Sequence, residues 1–461
     1  MSSPLSRLVR MLMLALVLGL ASARPAVAAD EGPSILRDAE TEALFRDIAA
    51  PLVEAANLDN KSVRVVLIRD DEINAFVAGS QNVYINSGLL TSSDGVNQLQ
   101  AVIAHGLGHV AGGHAIRMGE GAKEATGISL ATMVLGAIAI AAGAPEAGMG
   151  LMAMGQRAAL GQFLAFTRAQ ETSADLAGVK YLSAAGISGK GSLEFFKKLQ
   201  NQEYRLAIYA TDSYERTHPL SSERISILEN LYKKDPAWDR PSDPQLEARF
   251  QRVKAKLLGF VNSKQAINKY PESDQTVPAH YARAYAYHLG AYPEKALSEA
   301  EALLKTNPQD PYFLELKGQI LLESGRPAEA IVPLREATER SGRQALIASV
   351  LGEALVSTED KKHYAEAKTI LKTAVAVDNE NPFAWYQLGM IYGQDGDMPR
   401  AALATAERNN LEGKPKLALA SAEMAMRGIP AGSPDYLRAQ DIAMVSRTEL
   451  KKDKKGNRDR E

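Results

Sequence analysis

The sequence predicts a mainly α protein: an α+β domain with a small sheet, followed by an α-helical repeat superhelix. Three observations carry that prediction. Two β-branched or apolar stretches, Val63 to Ile68 and Asn82 to Leu90, follow a helical pattern and precede another. Residues 100 to 114 place His105 and His109 four apart in an apolar run, so that on a helix both imidazoles leave one face. Beyond residue 276 small residues return at a fixed step, with Ala284, Gly318 and Gly352 spaced by 34 residues.

Composition bounds the function. A chain of 461 residues, 46% hydrophobic and 23% charged, is a folded protein of two or three domains. A net charge of -2 gives no electrostatic footprint for nucleic acid. The chain has no cysteine, which excludes disulfides and thiolate zinc sites and leaves His, Asp and Glu as candidate metal ligands.

Residues 1–28 read as an export signal. Arg7 and Arg10 precede the apolar run Met11 to Ala21, and Ala26-Val27-Ala28 supplies small residues for cleavage, so the mature chain is expected to begin near Ala29. Export without cysteines points to a bacterial periplasm. From Ala39 to Leu58, apolar residues at helical spacing (Leu44, Ile48, Leu52) predict a helix covering one face of a small sheet. Val63 to Ile68, Asn74-Ala75-Phe76 and Asn82 to Leu90 supply that sheet, which is expected to be antiparallel. An edge strand at Asn74-Ala75-Phe76 could bind an extended substrate by strand addition, or the sheet could serve the core alone.

The helix of residues 100 to 114 is the expected centre of the chemistry. The zinc-peptidase helix motif is His-Glu-x-x-His, whose glutamate takes a proton from the metal-bound water. Here Gly106 holds the glutamate's place. The histidine pair argues for a metal, and Gly106 argues against ordinary hydrolysis by it. His114 stands one residue short of the spacing of the longer three-histidine motif, and a surface or capping role suits it better. Glu171 and Asp175, one turn apart on a small-residue helix with Ala174, Ala177 and Gly178, are better candidates. Glu171 can reach a metal while Asp175 orients a histidine.

Between these motifs, Gly127 to Ala144 is eighteen residues without a charge, and the apolar character resumes from Met149 to Met154. Its Gly and Ala content predicts a buried or site-covering helical hairpin, with peripheral membrane contact through 127–154 as the alternative. Ile225 to Tyr232 predicts a short helix, and Lys233 to Pro244 a boundary. Residues 245 to 269 read as an amphipathic connecting helix within a linker of 236–275. Residues 276–448 carry the repeats: Ala296 and Ala330 sit twelve after Ala284 and Gly318. An insertion near Lys361 shifts the frame, and Gly389 falls 37 after Gly352 with Ala401 twelve beyond it. This is the tetratricopeptide period, whose stacked helix pairs present a concave protein-binding face. The charged tail, 449–461, is expected to be disordered.

The order of Asn74-Ala75-Phe76, His105 to His109, Glu171 with Ala174-Asp175 and Gly178, and Thr217-His218-Pro219-Leu220 resembles the zinc metallopeptidases of the HtpX and CAAX prenyl endopeptidase type. With an export signal in front and repeats behind, it is most similar to their periplasmic, repeat-bearing members. The resemblance implies a zinc metallopeptidase domain over 29–235 holding one zinc ion through His105, His109 and Glu171. It implies a fourth position that His218 can fill, and Asp175 behind the ligands. It also implies protein clients among outer-membrane proteins or their assembly machinery. Gly106 departs from the pattern, and so does Ser173, where many relatives carry a second glutamate. Two functions stay open: a zinc metalloendopeptidase, and a zinc-bound pseudo-peptidase acting as chaperone or adaptor through its groove and repeats.

Overall fold

The computed structural model describes residues 34–79, 81–141, 145–206 and 222–458. The expected export signal lies outside them, as does His218.

The chain enters through a short strand, β1 (Ser34–Leu36), and helix α1 (Ala39–Ala55). Asp38 caps α1, its side chain accepting from the Thr41 backbone N–H at 2.8 Å, which satisfies one of the free donors of the first turn. Leu44, Ile48 and Leu52, each one turn from the next, are fully buried. Strands β2 (Arg64–Arg69), β3 (Ala75–Ala78) and β4 (Asn82–Asn86) come next, in the sheet order β1-β2-β4-β3.

The sheet is mixed, not antiparallel as expected. β3 pairs antiparallel with β4, Phe76 opposite Tyr84, while β4 runs parallel to β2, Val65 beside Val83. The cause is topological: β4 turns back from β3 and inserts between it and β2, which leaves β3 at the edge.

After a short helix, α2 (Ser87–Ser92), comes the helix of the two histidines, α3 (Val96–Ala111). From Gln98 to Val110 every residue of α3 is buried, so this helix is the centre of the domain core rather than a cover for it. Two glycines allow that. A Cβ on Gly108 would lie 2.6 Å from the Ala174 carbonyl oxygen, and one on Gly178 3.3 Å from the His105 backbone nitrogen. Backbone therefore meets backbone where α3 crosses the helix that carries Glu171.

That helix is α5 (Pro145–Ala184), which packs along α4 (His114–Ala141). The pair is a helical hairpin, as one part of the expectation had it, but it is not buried. Leu130, Met133, Val134, Leu135, Met149 and Met154 are exposed, since among the described residues these charge-free turns keep one side uncovered. Among the described residues no helix is long and apolar enough to cross a membrane. Helices α6 (Lys190–Leu206) and α7 (Ser222–Tyr232) complete the domain.

The connecting helix is two helices, α8 (Pro244–Val261) and α9 (Ser263–Lys269), broken at Asn262, whose side chain caps α9 through the Gln265 N–H at 3.0 Å. α8 is no free linker. Phe250, Val253 and Leu257 join the core around α3, while Ala255 and Leu258 pack on Ala266, Ala282 and Ala286.

The repeats are helix pairs: α10 (Val277–Leu289) with α11 (Pro293–Thr306), α12 (Pro311–Glu323) with α13 (Pro327–Arg340), α14 (Ala345–Ser357) with α15 (Tyr364–Val377), and α16 (Pro382–Gln394) with α17 (Met398–Leu411). α18 (Pro415–Gly428) and α19 (Pro434–Arg458) end the array. Gly318 and Gly352 mark the contacts within pairs, since a Cβ on either would lie 2.4 Å from Leu334 or Leu371. The insertion is a single turn of 3-10 helix, Lys361–His363. The tail expected to be disordered is helical through Arg458, as the continuation of α19.

The first turn of α1 is locked into this array. Ala39 packs with Leu314, Ala337 and Ile347. Buried Glu40 accepts from Arg252 and from Tyr281 Oη at 2.6 Å, and Arg252 forks onto Asp310 at 2.7 and 3.2 Å.

Candidate metal centre

The spacing of four on α3 does what helical geometry demands: the two Nε2 atoms of His105 and His109 lie 3.1 Å apart. α5 crosses at Gly108 and delivers Glu171 between them. Its Oε2 is 3.4 Å from His105 Nε2 and its Oε1 is 3.3 Å from His109 Nε2. His105, His109 and Glu171, all buried, thus bring one donor atom each within 4.8 Å of one another. Among the described residues this is the group of His, Asp and Glu that could hold a metal ion. Two imidazole nitrogens and a carboxylate match the donor set of a catalytic zinc site with three protein ligands.

The far sides of both imidazoles are occupied. His105 Nδ1 faces Asp175 Oδ1 at 3.0 Å, the carboxylate one turn beyond Glu171. His109 Nδ1 is paired with His114 Nδ1 at 3.0 Å. His114 is therefore not at the surface, the first of the two places expected for it. It is buried at the start of α4, and it acts on His109 from behind. Such partners fix the tautomer that presents the Nε2 lone pair as a ligand.

Arg224, which no sequence motif singled out, closes the array. From α7 its Nε and Nη2 donate to Asp175 at 2.7 and 3.0 Å, and its Nη2 lies 3.1 Å from Glu171 Oε2. The only cue was its place at the start of the short helix after Thr217-His218-Pro219-Leu220. Burial alone would lower the His105 pKa, but its contacts with Asp175 and Glu171 outweigh that and raise it to about 9. Burial alone would raise the Asp175 pKa, and the bonds from His105 and Arg224 instead hold it below the usual carboxylate range. Burial lowers that of His114, with Glu171 opposing the fall and Arg117 and His105 adding to it.

At position 106 there is no side chain, and the neighbouring space belongs to Val83 of β4. A Cβ there would lie 3.0 Å from Val83 Cγ1. Asn74, Ala75 and Phe76 fall at the start of the edge strand, where Asn74 O accepts from the Asn86 N–H at 3.0 Å and Phe76 stacks on Tyr84 at 5.1 Å. The structure packs β3 against α3, and so puts that edge beside the helix of the two histidines.

Known proteins resemble this chain in both of its parts. Residues 36–232 match the model of peptidase family M48, and residues 282–345 match a tetratricopeptide repeat. The beta-barrel assembly-enhancing protease of Escherichia coli (strain K12) is 27% identical over 398 residues, covering 84% of this chain and 79% of that protein. Its counterpart in Yersinia pestis is 26% identical over the same coverage. The metalloprotease LoiP of Escherichia coli (strain K12) is 28% identical over 182 residues, covering 39% of this chain and 66% of that protein. This chain therefore carries a peptidase family M48 domain followed by tetratricopeptide repeats, and it is homologous to the beta-barrel assembly-enhancing proteases.

Proposed function

We propose that this protein is a zinc metalloendopeptidase-type protein of the periplasm that acts in the quality control or assembly of outer-membrane proteins. The observation that carries the reading is the convergence of His105, His109 and Glu171 within 4.8 Å inside a peptidase family M48 domain. Zinc bound there would polarise a scissile carbonyl and lower the pKa of a coordinated water.

The rest of the chemistry belongs to the chain. Asp175 and His114 hold the Nδ1 sides of the two histidines, so each presents Nε2 to the ion. β3 is last in the order of the described strands, and the strand-addition reading assigns an extended client segment to that edge, beside α3. His218, outside the described residues, would fill the fourth position until a client or partner displaces it. The repeats supply a second surface for protein partners, on the homology with the assembly-enhancing proteases.

Gly106 favours a second reading: a zinc-bound pseudo-peptidase working as chaperone or adaptor. The general base is missing, and Val83 lies against the place its side chain would start. Loss of a general base typically costs about a hundredfold to ten-thousandfold in rate. Zinc stoichiometry of the wild type against His105→Ala tests the metal, and chelator-sensitive cleavage by the wild type against Gly106→Glu decides between the two readings.

A further inference from the structure

Arg224 touches the metal centre through two carboxylates at once. Its fork donates to both oxygens of Asp175, at 2.7 and 3.0 Å, and the same Nη2 sits 3.1 Å from Glu171 Oε2. The guanidinium lies over the Phe196 ring at 5.9 Å and is only 7% exposed, so it is fixed in place. A guanidinium keeps its charge at any working pH and presents its donors in a rigid plane, which suits it to clamp two carboxylates.

The consequence falls on Glu171. A carboxylate can give a metal one oxygen or two. Here its two oxygens face different company: Oε1 turns to His109 Nε2 at 3.3 Å, while Oε2 is shared between His105 Nε2 at 3.4 Å and the Arg224 cation. Resting on the zinc reading above, we propose that Arg224 is a positioning residue that keeps Glu171 a one-oxygen ligand and clamps Asp175 against His105. A further position at the metal would thereby be left to His218 or to a client rather than taken by the second oxygen of Glu171. An ion pair that only fastened α7 to α5 would hold the fold without changing how the metal is ligated.

The test uses the full chain, stripped of metal and reloaded. Cobalt(II) reports coordination number through its visible absorption, and zinc affinity is read by competition with a chromophoric chelator. In Arg224→Met the cobalt band is expected to lose intensity as the second oxygen of Glu171 joins the ion, and the zinc Kd to weaken by about 10- to 100-fold as Asp175 loses its clamp. Arg224→Lys keeps a buried cation but cannot span both carboxylates, so it should shift both readouts in the same direction, and it decides the matter if the methionine variant does not fold. Wild-type spectrum and affinity in the lysine variant, or in both, would overturn the proposal. A wild-type chain that takes up no metal would overturn the zinc reading as well, and that outcome is read before any variant is made.

Discussion

Val83 Cγ1 stands 3.0 Å from where a Cβ on Gly106 would lie, whereas the Cβ of a residue at 108 would meet the Ala174 carbonyl oxygen at 2.6 Å. The two glycines of the histidine helix are thus different in kind. A valine methyl can yield by a few tenths of an ångström, but the backbone of a crossing helix cannot.

Gly106→Ala and Gly108→Ala should therefore separate in thermal unfolding. The first gains about 1 kcal/mol of helix propensity and loses part of it to Val83, ending within about 1 kcal/mol of the wild type. The second forces α3 from α5 and should cost about 1 to 3 kcal/mol. Equal destabilisation by both would contradict the packing described.

Removing ligands should rank by their place at the centre. His105→Ala is expected to lose most bound zinc and Glu171→Ala to weaken it. His114→Ala, which removes only the partner of His109 Nδ1, should weaken zinc by about 10- to 100-fold while leaving one ion per chain at saturation. Zinc content by elemental analysis and affinity by chelator competition check the order. Unchanged affinity in His114→Ala would show that its 3.0 Å contact does not act on the metal.

The junction of α1 with the repeats should respond to pH through Glu315. Burial pushes its carboxyl up to about 8 from an ordinary 4.5, with Lys256 opposing and Asp38 and Glu40 adding to the rise. The folded chain thus binds the proton more tightly than the unfolded one. The stability this contributes is fully present below pH 4.5 and lost as pH rises through about 8. Glu315→Gln should leave the melting temperature nearly unchanged at pH 4.5 and raise it at pH 9. A uniform shift at both values would count against the buried carboxyl as its cause.

Glu40 is the keystone of the same junction, facing Arg252, Lys256 and the Tyr281 hydroxyl. Glu40→Ala leaves buried Lys256 and partly buried Arg252 without it and should cost about 3 to 5 kcal/mol, read as a lower denaturation midpoint. A loss under about 1 kcal/mol would mean that Asp310 and Asp38 carry the cations alone.

The features that were legible in the sequence were those set by local periodicity. His105 and His109 share a helix face because four residues make about one turn, and Glu171 and Asp175 do so for the same reason. The 34-residue step of Ala284, Gly318 and Gly352 exposed the helix pairs because small residues are needed where paired helices touch. The features that escaped were set by long-range packing. Arg224 is one charged residue among many until α7 is seen to bring it to Asp175. The position of β4 between β2 and β3 has no signature in either strand, and the covering of α4 and α5 depends on neighbours, so the exposure of Leu135 and Met149 could not be read from their charge-free run. The two roles of α8 likewise lie in opposite faces of one amphipathic pattern.

The most direct test of the central claim is zinc stoichiometry together with cleavage of an unfolded outer-membrane protein, measured side by side for the wild type and Gly106→Glu with a chelator control. The expected result is about one chelatable zinc in each and cleavage about a hundredfold to ten-thousandfold faster in the glutamate form. Absence of zinc from both would contradict the metal centre, and equal chelator-sensitive cleavage would contradict the assignment of position 106 as the place of the missing base.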